Sequence, residues 1–185
     1  MKLFRKLTTL LFITLFSFNA NAAFTIGTSF TYSKINHTNY KYSNDSDQLK
    51  AIIKSAGFNV GYMKEINKIN IGVHTNRFLN RSINREARAN GRIYRNKTKI
   101  TYDALSVGYR INKVIPSLFI ANTEVKRSLY YNNIFLGKQD NHIYTYGASL
   151  NYLFGKSTLL GVSYVAPNEE VGLEGALGLA INFLI

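Results

Sequence analysis

The sequence predicts an all-β protein, an eight-stranded antiparallel up-and-down transmembrane β-barrel preceded by a cleavable signal peptide. Three observations lead there. Bulky apolar residues recur at every second position through most of the chain. The positions between them hold small or polar residues, and eight glycines inside these segments fall on that side. Long and short connections alternate between the segments.

The last thirteen residues, LEGALGLAINFLI, show the pattern most plainly. Leu173, Leu177, Leu179, Ile181, Phe183 and Ile185 are bulky, while Glu174, Ala176, Gly178, Ala180 and Asn182 lie between them. A helix repeats its apolar positions every three or four residues, and a period of two belongs to a strand. In a soluble sheet the second face carries charged or polar groups. Here it is mostly small, as befits the inside of a narrow barrel whose bulky face meets lipid. On this pattern Leu173 is read as lipid-facing and Glu174 as pointing inward near the outer mouth.

From the N-terminus, Lys2, Arg5 and Lys6 form a basic region, Leu7 to Phe18 an apolar run, and Ala20-Asn21-Ala22 a small-x-small cleavage site. This is a secretory signal peptide, too short to span a bilayer as a helix. Residues 1–22 are assigned to it and residues 23–185 to the barrel domain. The first strand alternates Phe24, Ile26, Thr28, Phe30 and Tyr32 with Thr25, Gly27, Ser29 and Thr31. The second alternates Ala56, Phe58, Val60 and Tyr62 with Ser55, Gly57, Asn59 and Gly61, and the third places Ile69, Ile71 and Val73 against Asn70, Gly72 and His74. The fourth carries Leu105, Val107, Tyr109 and Ile111, and the fifth is the less regular Val114–Val125, with Pro116 tolerable near a strand end. The sixth runs Tyr144–Phe154, the seventh Thr158–Ala166, and the eighth is the C-terminal segment.

Gly27, Gly57, Gly61, Gly72, Gly108, Gly147, Gly161 and Gly178 all take the non-bulky phase. A soluble sandwich with scattered glycines would not produce it. Residues 35–50, 76–99 and 126–142 read as long connections. Residues 64–68, 112–113 and 155–156 read as short turns, and 167–170 as a modest last loop. Long loops outside and short turns in the periplasm are the expected asymmetry, with both mature termini periplasmic. Tyr32, Tyr62, Tyr109, Tyr144, Tyr152 and Tyr164 fall where interfacial girdles are expected.

The chain carries 23 basic and 10 acidic residues, a net charge of +13. Removing the three basic residues of the leader leaves 20 against 10, a net +10. Such a balance invites nucleic acid, but export argues against it, and no nucleic-acid partner is expected. Cysteine is absent, so no disulfide framework is available.

In architecture the chain resembles the small eight-stranded outer-membrane barrels, such as the OmpA membrane domain, OmpX and the Opa-like adhesins. The resemblance covers the whole mature chain and rests on no family-specific motif. It implies an outer-membrane location in a Gram-negative bacterium, a monomer, and insertion by the barrel-assembly machinery. That machinery usually reads a terminal aromatic residue, whereas this chain ends Phe183-Leu184-Ile185.

Lipid-modifying enzymes use the same architecture, and PagL-like deacylases carry a His-x-Ser tripeptide. The histidines here read His37-Thr38-Asn39, His74-Thr75-Asn76 and His142-Ile143-Tyr144, none of which matches. No base is placed beside Ser106, Ser149 or Ser163 by sequence, and catalysis needs both groups within reach. Three dispersed histidines show no metal-ligand spacing. No cofactor is expected. A narrow porin-like channel is the second alternative, although Asn59, Asn70, Asn151, Asn182 and Arg110 more simply form a packed polar lumen. The reading is therefore a non-enzymatic, adhesin-like barrel presenting surface loops to lipopolysaccharide, neighbouring membrane lipids or an extracellular ligand.

The basic stretch 77–99 is the candidate contact. Asn90-Gly91 inside it is a strong hairpin signal, so the third and fourth strands are expected to extend and meet there. A plain two-residue turn would oppose Val73 to Gly108, a lipid-facing residue to a lumen one, so a bulge or an odd-numbered loop is required, a correction of one residue. With it, Arg77, Arg81, Arg85, Arg95, Lys97 and Lys99 all continue the outward face. Arg77, Arg81 and Lys99 then lie nearest the lipopolysaccharide phosphates, with Arg81 and Lys99 as the centre. Arg88 and Arg92 turn the other way.

Overall fold

The computed structural model describes residues 22–36, 50–78, 82–89 and 92–185, with the backbone alone over 82–97. The expected signal peptide lies outside the described residues except for Ala22. The strands are β1 (Ala22–Asn36), β2 (Lys50–Ile66), β3 (Ile69–Phe78), β4 (Ser82–Ala89), β5 (Arg92–Tyr109), β6 (Val114–Tyr131), β7 (Ile134–Phe154), β8 (Thr158–Val165) and β9 (Leu173–Leu184). Every neighbouring pair is antiparallel, and β1 joins β9 so that the sheet closes. Closure leaves no backbone edge unpaired in lipid. Nine segments make eight staves, because β3 and β4 follow one another along β5. Ile69–Arg77 pairs with Thr101–Tyr109, and Ser82–Ala89 pairs with Arg92–Thr98.

The alternation read from sequence holds through the membrane band. Phe30, Val60, Val107, Leu150, Val162 and Leu179 are exposed on the outside, while Thr25, Ser29, Asn59, Ser106, Ser149 and Asn182 line the interior. In water so large an apolar surface would drive aggregation, and in a bilayer it is the solvated face. The tyrosines form two levels. Tyr32 and Tyr164 both lie opposite Leu177 toward the end with the long hairpins. Tyr62 and Tyr109 lie toward the end with the short turns and the described chain ends.

From the upper tyrosine level upward the polarity of the wall largely reverses. The outside now carries Lys34, Lys54, Asp103, Glu124, Lys126 and Asp140, with Ile52 as an exposed apolar exception, and the inside carries Ile35, Ile53, Ile100, Val125 and Ile143. Ile35, Ile53, Ile143, Val171 and Leu173 form a buried apolar cluster, with Ile100 and Val165 packed against it. This is the core of a water-soluble barrel stacked on a lipid-soluble one. The last connection completes it: a 3-10 turn at Glu169–Val171 folds over the mouth, and the Arg127 guanidinium donates to the Val171 carbonyl.

That arrangement corrects the reading of Leu173 and Glu174. A bulge shifts the β1–β9 register between Lys34–Gly175 and Ile35–Leu173, with Gly175 at φ +126°. One extra residue inverts every side chain beyond it. Leu173 is therefore buried in the plug and Glu174 is exposed. Residues 126–142 are likewise mostly strand rather than loop, since β6 and β7 continue to a two-residue turn at Asn132-Asn133. Both asparagines have positive φ, 48° and 64°, the geometry that a tight hairpin turn requires.

The 77–99 stretch is also extended. Ala89 faces Arg92 across Asn90-Gly91 as expected, and a bulge follows between Asn84 and Ala87. A further slip between β4 and β3 brings Val73 opposite Leu105 instead of Gly108. The total displacement is three residues (108 less 105) instead of the expected one; it is still odd, so lipid-facing residues oppose one another.

Candidate functional site

The interior has a cavity of about 170 Å³ lined by both the polar floor and the apolar mouth. His74 sits on the floor between two glycines. A Cβ on Gly61 would lie 2.5 Å from His74 Nδ1, and one on Gly72 would lie 2.6 Å from Nε2. Glycine here makes room for an imidazole. His74 Nε2 is 3.2 Å from Ser106 Oγ, a proximity that sequence reasoning missed because the two residues lie on different strands.

Ser106 Oγ also lies 3.3 Å from the Gly72 carbonyl, which can only accept, so the serine hydroxyl has two acceptors in reach: that carbonyl and, in one tautomer, His74 Nε2. Asn76, fully buried, donates to Ser29 Oγ at 2.6 Å. At the turn end Arg110 pairs with Glu65 at 2.7 Å. Both ends of the lumen are thus occupied by side chains, apolar above and ionic below.

On the outer wall, just above the lipid-facing band, a charged belt crosses β3, β5, β6 and β7. Arg77 pairs with Asp103 at 3.0 Å, and Thr75 donates to the same carboxylate oxygen at 2.6 Å. Lys126 Nζ lies 2.7 Å from Glu124 and 3.9 Å from Asp140. Lys138 lies 3.8 Å from Asp140, and His142 Nε2 lies 3.5 Å from Glu124. The Lys126 hydrogen bond holds the Glu124 carboxyl below the usual carboxylate range, against a smaller opposing effect of burial. The same hydrogen bond raises Lys126 above the usual lysine value.

Ligand-type atoms of Glu124, Asp140 and His142 lie within 4.8 Å of one another. The Lys126 ammonium already supplies the positive charge these carboxylates need. Spacing two apart puts Glu124 with Lys126 and Asp140 with His142 on one face of each strand, but only the β6–β7 pairing brings the two halves together.

Of the six basic residues singled out by sequence, Arg77 and Lys99 have described side chains, and both are exposed on the outer face. Arg77 is not a free cation, since Asp103 neutralises it. Lys99 lies opposite Lys126 and has no ion-pair partner among the described residues. Arg85, Arg95 and Lys97 are described by backbone alone, with Arg95 and Lys97 at alternate positions of β5 in line with Lys99. Arg85 falls within the Asn84–Ala87 bulge, and Arg81 lies outside the described residues.

No protein-family model and no curated protein sequence matches the chain. Solved structures do. The attachment invasion locus protein Ail of Yersinia pestis is similar at a TM-score of 0.58 and 16% identity, over 91% of this chain and 100% of Ail. Ail in complex with the heparin analogue sucrose octasulfate is similar at 0.56 and 16%, over 89% and 97% of the two chains. The N-terminal β-barrel domain of Pseudomonas aeruginosa OprF gives 0.54 and 12%, over 90% and 98%. The fold is that of the small eight-stranded outer-membrane β-barrels.

Proposed function

We propose that this chain is a non-enzymatic outer-membrane barrel of a Gram-negative bacterium that anchors lipopolysaccharide through the basic wall of its β4–β5 hairpin. Residues 1–22 act as a cleaved signal peptide, and residues 23–185 fold with the aid of the barrel-assembly machinery into a monomer. The long hairpins face the cell surface and the termini the periplasm. The observation that supports this most is the exposed, acid-free Lys99 directly above the lipid-facing band. Arg95 and Lys97 follow it up the same strand.

Charge-assisted contacts to phosphate are strong, and exposed ones weaken as salt rises. Arg77, Arg81 and Arg85 complete the proposed set, with Arg77 contributing least because Asp103 already holds it. The polyanion sucrose octasulfate bound to Ail supports an anionic ligand on this architecture, and an extracellular sulfated ligand would use the same cations. The side chains that occupy both ends of the lumen favour this reading over a narrow channel.

The test replaces Arg81 and Lys99 by Gln, and separately Arg88 and Arg92. The first pair should weaken lipopolysaccharide binding and flatten its salt dependence, while the second should do neither. Equal losses from both pairs would leave only diffuse charge and sink the ordered anchor.

A further inference from the structure

The β6–β7 hairpin carries its apolar residues where no barrel wall requires them. From Asn122, at the top of the lipid-facing band, ten residues of β6 lead to the turn at Asn132, roughly 33 Å of strand. At that tip Ile134 is 65% exposed, Phe135 55% and Leu136 37%. The rings of Tyr130 and Phe135 are paired across the strands at 5.5 Å, while Tyr131 faces Ile134. Both faces of the finger are thus apolar, although neither is near the barrel's own lipid band.

Behind the tip the chemistry changes to charged. Lys126 and Lys138 on the same hairpin are paired to Glu124 and Asp140, so the excess of basic residues comes from the adjoining strand. Strand pairing sets Arg95 opposite Tyr130 and Lys97 opposite Ser128. Over residues 82–99 the adjoining hairpin has six basic residues and one acid.

We propose that this hairpin tip is a membrane-docking wedge, inserting Ile134, Phe135 and Leu136 into an apposed bilayer rich in anionic phospholipid. An apolar end behind a basic collar is the pattern that partitions into an anionic lipid interface. The tip is convex and presents only a few hundred Å² (about three side chains), well below the ~1,000 Å² of a stable protein interface. A fluid bilayer accommodates such a shape, and a second copy of the chain does not. The proposal rests on the reading that the long hairpins face outward.

The chain has no tryptophan and no cysteine, so each can be introduced as a single reporter. Phe135→Trp protein in phosphatidylcholine nanodiscs is mixed with vesicles of phosphatidylcholine containing about one-third phosphatidylserine. The expected result is co-flotation at low salt, a blue shift of the new tryptophan, and quenching by brominated acyl chains. Ile134→Ser with Leu136→Ser should lower capture roughly tenfold or more, with folding checked by the heat-dependent gel shift. Capture without the blue shift would mean adhesion by charge alone and would overturn insertion. Binding of heparin without vesicle capture would overturn it in favour of a polyanion receptor, and no capture of either kind would end it. Orientation is tested separately by labelling Lys138→Cys on intact cells with an impermeant maleimide. Failure there removes the surface reading and leaves the nanodisc result standing.

Discussion

An arginine scan along β9 should report depth in the bilayer. Leu177 lies at the level of Tyr32 and Tyr164, and Ile185 reaches the turn end, where it exchanges backbone hydrogen bonds with Phe24. The eight residues between them cover roughly 26 Å of strand, so Ile181 is central. Leu177, Leu179, Ile181 and Phe183 are all outward and similarly exposed, 46–56%, so loss of the native side chain weighs about equally at each. Arginine at the midplane costs about 2–4 kcal/mol and near the interface about 0–1 kcal/mol. Ile181→Arg should therefore be worst, Leu179→Arg and Phe183→Arg intermediate, and Leu177→Arg nearly silent. Inward Ala180→Ser should cost little. The measurement is urea unfolding in phospholipid vesicles, read from the gel mobility of folded and unfolded protein. A flat profile, or a maximum at Leu177, would refute the assignment of faces and depth.

Gly72→Ala should destabilise by about 1–3 kcal/mol through its clashes with His74 and Ser106 Oγ, and His74→Ala in the same chain should recover the His74 part of that in a double-mutant cycle. Lowering pH through and below the usual glutamate value of 4.5 should loosen the β6–β7 rim, because a carboxyl held low contributes only while ionised. Lys126, raised by the same bond, contributes below its usual 10.5 and loses that contribution as pH climbs past it. Amide exchange of β6 and β7 should show both limits, and Lys126→Met should abolish them. Ile53→Ala, at a position 1% exposed, should cost about 2–5 kcal/mol; a negligible change would mean that the apolar mouth does not stabilise the barrel. Wild-type protein in planar bilayers should give no unitary current, whereas Val171→Ser with Ile143→Ser should admit ions.

The strands were legible wherever one face met lipid, because that face is uniform over many residues and fixes the phase. Where the hairpins leave the membrane, the outward phase changes to Lys126, Asp140 and His142, and the segment reads as loop although the period of two persists. Leu173 was misread for a related reason: Gly175 interrupts the bulky phase between Leu173 and Leu177, and only the pairing with β1 shows that this gap is a bulge that inverts the residues before it. The pairing of Ala89 with Arg92 was legible from the Asn90-Gly91 dipeptide between them. Asp103 beside Arg77, His142 beside Glu124 and Ser106 beside His74 required the register, which no single segment contains.

The seam between β1 and β9 sets a condition on how the molecule comes into being. The Phe24 amide and carbonyl bond the Ile185 carbonyl and amide at 3.1 and 2.9 Å, so the ring is completed by groups about as far apart in the chain as they can be. Bringing such ends together costs roughly 4–5 kcal/mol of loop entropy, and contacts of this separation form late. Until then two unsatisfied strand edges would face hydrocarbon, where each unpaired group is severely penalised. A growing chain therefore gains nothing from inserting piecemeal: the first strand must wait for the last.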